Sequence, residues 1–259
     1  SVATMLHAAR LLVKHEVRPA GDVIFAATCG EEGLGNLEGM QAVVDALKDE
    51  IDYVIALDGS LGGMVREGVG SRRFRLVVTT SGGHSWGAFG APSAIHSLGR
   101  IIARISELRV PHYPKTTYNV GVISGGTSVN TIAARAEALI DLRSLDRSEL
   151  VRLEQRVLRI VRSEERESGV RAVLELLGDR PTGSIPDAHP LCNLVRRVHR
   201  ELGLQTRSYP SSTDGNVPLS MGIPAVTVGV TLGGNGHRLD EYIYTPPLAK
   251  GLAQVLLLV

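Results

Sequence analysis

Two glutamates, Glu31 and Glu32, stand side by side in the stretch TCGEEGLGN, directly after the apolar run DVIFAA. Adjacent carboxylates repel each other, an arrangement easiest to understand if something positive sits between them. A solvated loop is the plainer alternative. Asp58 closes a second apolar run, in ALDGS, and His237 follows a third, in GVTLGGNGHRLDE. Carboxylate oxygens with an imidazole suit zinc, or else manganese or cobalt, and the lack of sulfur donors points to a catalytic ion. One glutamate can ligate while its neighbour takes a proton from the metal-bound water and returns it to a leaving amine. Gly30, Gly33 and Gly35 would let the loop turn sharply. Taken singly, Asp58 could cap a strand end and His237 could be a solvated loop histidine.

These residues need elements to hold them. The runs 22–28, 53–58 and 224–230 are almost continuously apolar, as in strands buried on both faces of a mainly parallel sheet. Helical spacing appears in Met5, Ala8, Ala9, Leu12 and Val13, and again in LCNLVRRVHREL and PLAKGLAQVLLL. In open α/β sheets ligands gather at the carboxyl ends of strands, and all the candidate ligands follow such ends. The middle of the chain alternates instead. Phe74, Leu76 and Val78 interleave with Arg73 and Arg75, and Ala138, Ile140 and Leu142 with Glu137, Asp141 and Arg143. Such strands have one wet face. With TTYNVGVI, VRAVLELL and two helical segments, the order β-α-β-β-α-β predicts a ferredoxin-like α+β unit. The expected fold is an α/β catalytic domain, residues 1–69 and 182–259, with an inserted lid and dimerisation domain at 70–181.

Composition narrows the partners. The chain has 259 residues, 43% of them hydrophobic, and a net charge of +1. That allows a well-buried core and gives no reason to expect nucleic acid or an acidic membrane as partner. Two cysteines without a CxxC pair argue against a disulfide framework or a cysteine zinc site. No apolar run approaches the ~20 residues of a membrane span. The chain starts SVATML, without methionine and already in a helical pattern, and shows no signal peptide; the expected compartment is the cytoplasm. Cys29 is expected to be a small buried residue. Arginines along 152–166 read as a solvated helix face, and His7, His15, His96, His112, His189 and His199 as surface or packing residues. Trp86 and Phe89 could border a substrate pocket or pack locally.

Six segments carry a family resemblance: TCGEEGLGN, ALDGS, SGGHSWGAFGAPSAIH, GDRPTG, SSTDGNVPLSMGIPAVTVG and GHRLDEYI. In this order they resemble the dinuclear-zinc aminoacylase/carboxypeptidase family, which includes glutamate carboxypeptidase, acetylornithine deacetylase, succinyl-diaminopimelate desuccinylase and tripeptide aminopeptidase. The wording of GGHSWGAFG and STDGN is most like the peptidase-T side. The resemblance implies two zinc ions in the complete protein, cobalt or manganese being possible substitutes. It makes Glu31 the general base, gives Glu32 and His237 to one zinc and Asp58 to the other. It implies that His84 stabilises the oxyanion, reaching into the partner's site of a homodimer formed through the lid. Asn130 and Arg180 would bind a peptide or N-acyl amino acid substrate, the arginine suiting a free carboxylate. The family's first metal histidine and bridging aspartate lie upstream of a segment like SVATMLHAARLL and are not in this chain. The expectation is therefore an N-terminally incomplete catalytic domain with partial or no metal.

Two rival readings stand beside it. GHSWG, Gly83 to Gly87, matches the nucleophile elbow of serine hydrolases, with Ser85, Asp214 and His237 in the α/β-hydrolase order. Against it, the preceding strand alternates with arginines, GAFGAP delays the helix, and the glutamate pair is left without a role. Asp214 could also be a turn former or a support to the metal site. The second rival is a dimerising binding module that retains the fold without a complete site.

Overall fold

The computed structural model describes residues 1–259. The chain divides into two compact units, Ser1–Val69 with Pro181–Val259, and Gly70–Arg180.

The discontinuous unit is built on a four-stranded sheet in the order Val54–Leu57, Ala225–Val228, Gly63–Val65, Arg207–Ser208. Val54 pairs with Ala225 and Leu57 with Val228 in parallel register. Gly63–Val65 joins antiparallel to Ala225–Val228 and parallel to Arg207–Ser208. Two of the three pairings are thus parallel, in line with a mainly parallel sheet. Helices Val2–Lys14, Glu38–Leu47, Pro190–Glu201 and Leu248–Leu258 supply the apolar faces that cover it. Met64, Cys192, Val195, Ala225, Val226 and Val228 form one buried cluster. Leu37, Met40, Val44 and Val217 form a second, and Ala8, Val230 and Val255 a third. Along the first helix Thr4 and Ala8 are buried, whereas Val13 is 81% exposed, so its apolar stripe is narrower than the spacing suggested.

The run at 22–28 is not a strand. The sheet ends at Val54–Leu57, and no segment pairs with 22–28, whose Ile24 and Phe25 are exposed. Apolar composition does not make a strand by itself: its N–H and C=O groups need a hydrogen-bonded neighbour. Nor is Cys29 buried; it is exposed on this irregular segment.

A buried polar chain braces the far end of the sheet. His199 is fully buried, its Nδ1 2.8 Å from Thr206 Oγ1 and its Nε2 2.9 Å from Gln254 Oε1. Gln254 in turn donates through Nε2 to the carbonyl of Gly229, just past Ala225–Val228. An amide oxygen only accepts, so the imidazole proton sits on Nε2 and Nδ1 accepts from the Thr206 hydroxyl. Burial holds the His199 pKa below the ordinary imidazole value, against the opposing effect of the Gln254 bond.

The contiguous unit contains β-α-β-β-α-β: Gly70–Thr79, Ala94–Ser106, Thr116–Gly125, Arg135–Ser144, Arg147–Ser168 and Arg171–Arg180. The sheet is antiparallel throughout, in the order Thr116–Gly125, Arg135–Ser144, Gly70–Thr79, Arg171–Arg180. That is the ferredoxin-like arrangement expected from the alternation. Phe74, Leu76, Val78, Ile140 and Leu142 turn inward onto Leu98, Ile101, Ile105, Leu150, Leu153 and Val157 of the two helices. Asp146 caps the longer helix by accepting from the Glu149 N–H at 2.9 Å, and Gly169 ends it in the left-handed conformation. Glu164, buried on that helix, accepts from Arg100 Nε and Nη2 at 3.0 and 2.7 Å and from Ser168 Oγ at 2.5 Å. The two helices are thereby tied to each other on one face of the sheet. No helix of the chain is long and apolar enough to cross a membrane.

Candidate metal centre

Glu31 and Glu32 lie in a closed loop between residue 28 and the helix Glu38–Leu47. Backbone bonds seal it: Leu37 donates to Gly30 O at 2.8 Å, Gly35 to Glu32 O at 2.9 Å and Gly39 to Cys29 O at 3.0 Å. Gly30 takes φ +77°, and a Cβ on Gly35 would sit 2.3 Å from the Gly30 oxygen, so the closure demands glycine at both places. Leu37 follows at φ +64° and is fully buried, strain that its apolar packing offsets. Glu38 accepts the Asn36 N–H at 3.0 Å, pinning the loop to the start of the helix. Glu31 is half-buried and Glu32 exposed.

The loop is also fastened from across the unit. Thr28 Oγ1 donates to Asp214 Oδ2 at 2.5 Å. Asp214 itself sits in a turn locked by Asn216, which is fully buried, accepts from the Thr213 N–H at 3.0 Å and donates to Val69 O and Pro181 O. Asp214 therefore holds the chain that enters the glutamate loop.

His237 comes from a second loop, between Gly233–Gly234 and Tyr242–Ile243, which pair with each other. It adopts φ +65°, and its N–H donates to Glu241 at 3.0 Å. Its Nδ1 lies 3.9 Å from Glu32 Oε2, with both side chains largely exposed. Two donors on a tetrahedral zinc at ~2.0–2.1 Å each stand roughly 3.3 Å apart, closer than this pair. Asp58 follows Val54–Leu57 and is exposed; its Oδ1 accepts the Gly59 N–H at 2.6 Å, a turn-forming bond. No group of three or more histidine, cysteine, aspartate or glutamate side chains is gathered around a common point. The donors fit zinc in kind and fall short of a full coordination set in number.

In the contiguous unit, His84 and Asn130 are brought together. His84 belongs to the short pairing of Gly83–His84 with Thr131–Ile132, and the Ser85 N–H donates to Asn130 O at 3.0 Å. Both residues are exposed. His84 Nδ1 accepts from the Trp86 and Gly87 N–H groups, each at 3.3 Å, which places the imidazole proton on Nε2. Arg180, at the end of Arg171–Arg180 and opposite Ser71, is only 4% exposed. Ser85 does not sit on a nucleophile elbow: it follows a two-residue strand, turns intervene, and the next helix begins only at Ala94. Strand, sharp turn and helix in immediate succession are what that motif requires.

Thr28, Glu38 and Glu241 are the supporting residues that the sequence reading passed over. Thr28 offered no signal, since a threonine closing an apolar run is unremarkable until its partner is known.

Comparison with known proteins finds likeness to peptidases. A model of the peptidase dimerisation domain matches residues 67–169, and one of peptidase family M28 matches residues 1–86. Aminopeptidase PepT from Bacillus cereus ATCC 10987 superposes with a TM-score of 0.81 at 24% identity, covering 99% of this chain and 68% of its own. A tripeptidase from Staphylococcus aureus subsp. aureus Mu50 gives 0.83 at 23% identity with the same coverage. YqjE of Bacillus subtilis (strain 168), an uncharacterized protein, is 24% identical over 88% of this chain. The chain spans 62% of the length of that curated relative. The fold and the resemblance to the dinuclear-zinc peptidases, on the peptidase-T side, are borne out.

Proposed function

We propose, starting from this kinship with the dinuclear-zinc peptidases, that the protein is a metal-dependent hydrolase of amide bonds in short peptides or N-acyl amino acids. The observation that carries the reading is the approach of Glu32 and His237 from loops far apart in sequence to 3.9 Å. A carboxylate and an imidazole brought to one point of the surface are the donor types of a zinc site. Glu32 and His237 would hold one zinc, and Asp58 would contribute to a second. Zinc, when bound, lowers the pKa of water and polarises a carbonyl.

The remaining steps belong to side chains. Glu31, next to the ligand Glu32, would accept the proton of the attacking water and return it to the departing amine. His84, with its proton on Nε2, would donate a hydrogen bond to the developing oxyanion. Asn130 shares the His84 pairing and would orient the substrate. The substrate role of Arg180 rests on its motif, GDRPTG. The match to a peptidase dimerisation domain over 67–169 supports a homodimer formed through the contiguous unit.

The test separates binding from chemistry. Glu31→Gln should leave zinc content unchanged by elemental analysis while kcat for peptide hydrolysis falls by about 10²–10⁴. Unchanged turnover would remove Glu31 from the mechanism, and absence of zinc both on this chain and on one carrying the upstream histidine and aspartate would remove the metal reading altogether.

A further inference from the structure

The loops that carry His84 and Asn130 also carry an apolar surface. Trp86 is 89% and Phe89 92% exposed, and Val129 is wholly exposed. Their exposure does not come from a slack backbone. Ala88 donates to His84 O at 2.9 Å, Phe89 to Trp86 O at 3.3 Å and Ala91 to Ala88 O at 3.0 Å, so the aromatics ride on consecutive closed turns. The Ser85 bond to Asn130 O sets Val129 beside the same turns. Residues 80–93 and 124–134 contain no lysine, arginine, aspartate or glutamate. A single exposed aromatic is ordinary, but two on one hydrogen-bonded turn, in a charge-free surround, mark a place that receives apolar matter.

Its position names the occupant. The N–H groups of Trp86 and Gly87 are the ones that fix the His84 imidazole, so the aromatic turn and the His84 Nε2–H donor form one frame. We propose that Trp86, Phe89 and Val129 are an apolar lip that takes a hydrophobic side chain of the peptide whose amide His84 polarises. The preferred substrates are then hydrophobic peptides rather than charged ones. This rests on the hydrolase reading above for the identity of the occupant. The lack of any charge on the two loops disfavours acidic and basic side chains equally, since neither finds a partner there.

Trp86 is the chain's one tryptophan, so its emission reports on the lip alone. The experiment is stopped-flow fluorescence of the zinc-loaded protein mixed with trileucine or triglycine, with hydrolysis followed in parallel. Trileucine should move the emission to shorter wavelength, saturably, and triglycine should not. Phe89→Ser and Val129→Ser should each weaken trileucine binding by about tenfold, as expected for losing burial of one apolar side chain. Val173→Ser, on the Arg171–Arg180 strand, should leave it unchanged. If trileucine is hydrolysed with no change in emission, the lip is wrong and the hydrolase reading stands. If emission shifts and no peptide is cleaved even by a chain carrying the upstream histidine and aspartate, the lip stands as an apolar peptide-binding surface and the hydrolase reading falls. A blue shift that grows with protein concentration in the absence of peptide would mean that a second copy covers the patch, and would overturn the proposal.

Discussion

His237 holds a left-handed backbone conformation, φ +65°, with its N–H given to Glu241. Asparagine tolerates that region, whereas a β-branched residue does not. His237→Asn should therefore keep thermal stability within about 0.5 kcal/mol, as for a surface change, while zinc bound beside Glu32 is lost. His237→Val should add a backbone strain of about 1–3 kcal/mol. Melting curves and metal analysis of the two variants separate loop geometry from ligation; equal zinc content in wild type and His237→Asn would clear His237 of any ligand role. At this scale the candidate donors are legible because Glu32, Asp58 and His237 each follow an apolar run. What is not legible is contact: the pairing of His237 with Glu32 is read from the family resemblance and not from spacing, and nothing in the sequence says that Thr28 bonds Asp214. Those pairings come from tertiary closure.

Among the elements, the alternating strands of the contiguous unit are readable because ten-residue strands repeat the in-out pattern often enough to identify it. Gly63–Val65 and Arg207–Ser208 are too short to show any period, and residues 22–28 have the composition of a strand without a partner to make them one. Glu164 shows how helix pairing is secured. Burial alone would raise its pKa, yet the bonds from Arg100, Ser168 and Ser97 outweigh burial and bring it below the ordinary carboxylate value of 4.5. A lowered folded-state value means that the unfolded chain takes up the proton first as pH falls. The contribution is complete above pH 4.5 and is lost as pH drops through the folded value. Glu164→Gln should thus cost about 1–3 kcal/mol in urea unfolding at pH 7, and the deficit should narrow below pH 4.5. A deficit independent of pH would assign the loss to packing instead.

For the whole molecule, the contiguous unit has its own core, and its first and last strands are neighbours, with Ser71 opposite Arg180. Residues 70–180 expressed alone should unfold in one cooperative transition that coincides by far-UV and near-UV circular dichroism. A broad, non-coincident transition would show that the unit depends on the rest of the chain. The discontinuous unit has no such independence. Val54 must find Ala225, and the whole contiguous unit lies between them in the sequence. On the ribosome this imposes an order in time. At roughly 5–20 residues per second, Val54–Leu57 waits on the order of ten seconds or more for its parallel neighbour, while the segment between has already emerged and can fold. The nascent protein passes through an interval with a finished middle and an unfinished sheet, its Val54–Leu57 edge open to any strand that arrives first. The parallel pairing of Val54 with Ala225 makes closure of this sheet a late event of synthesis, after residue 225 has emerged.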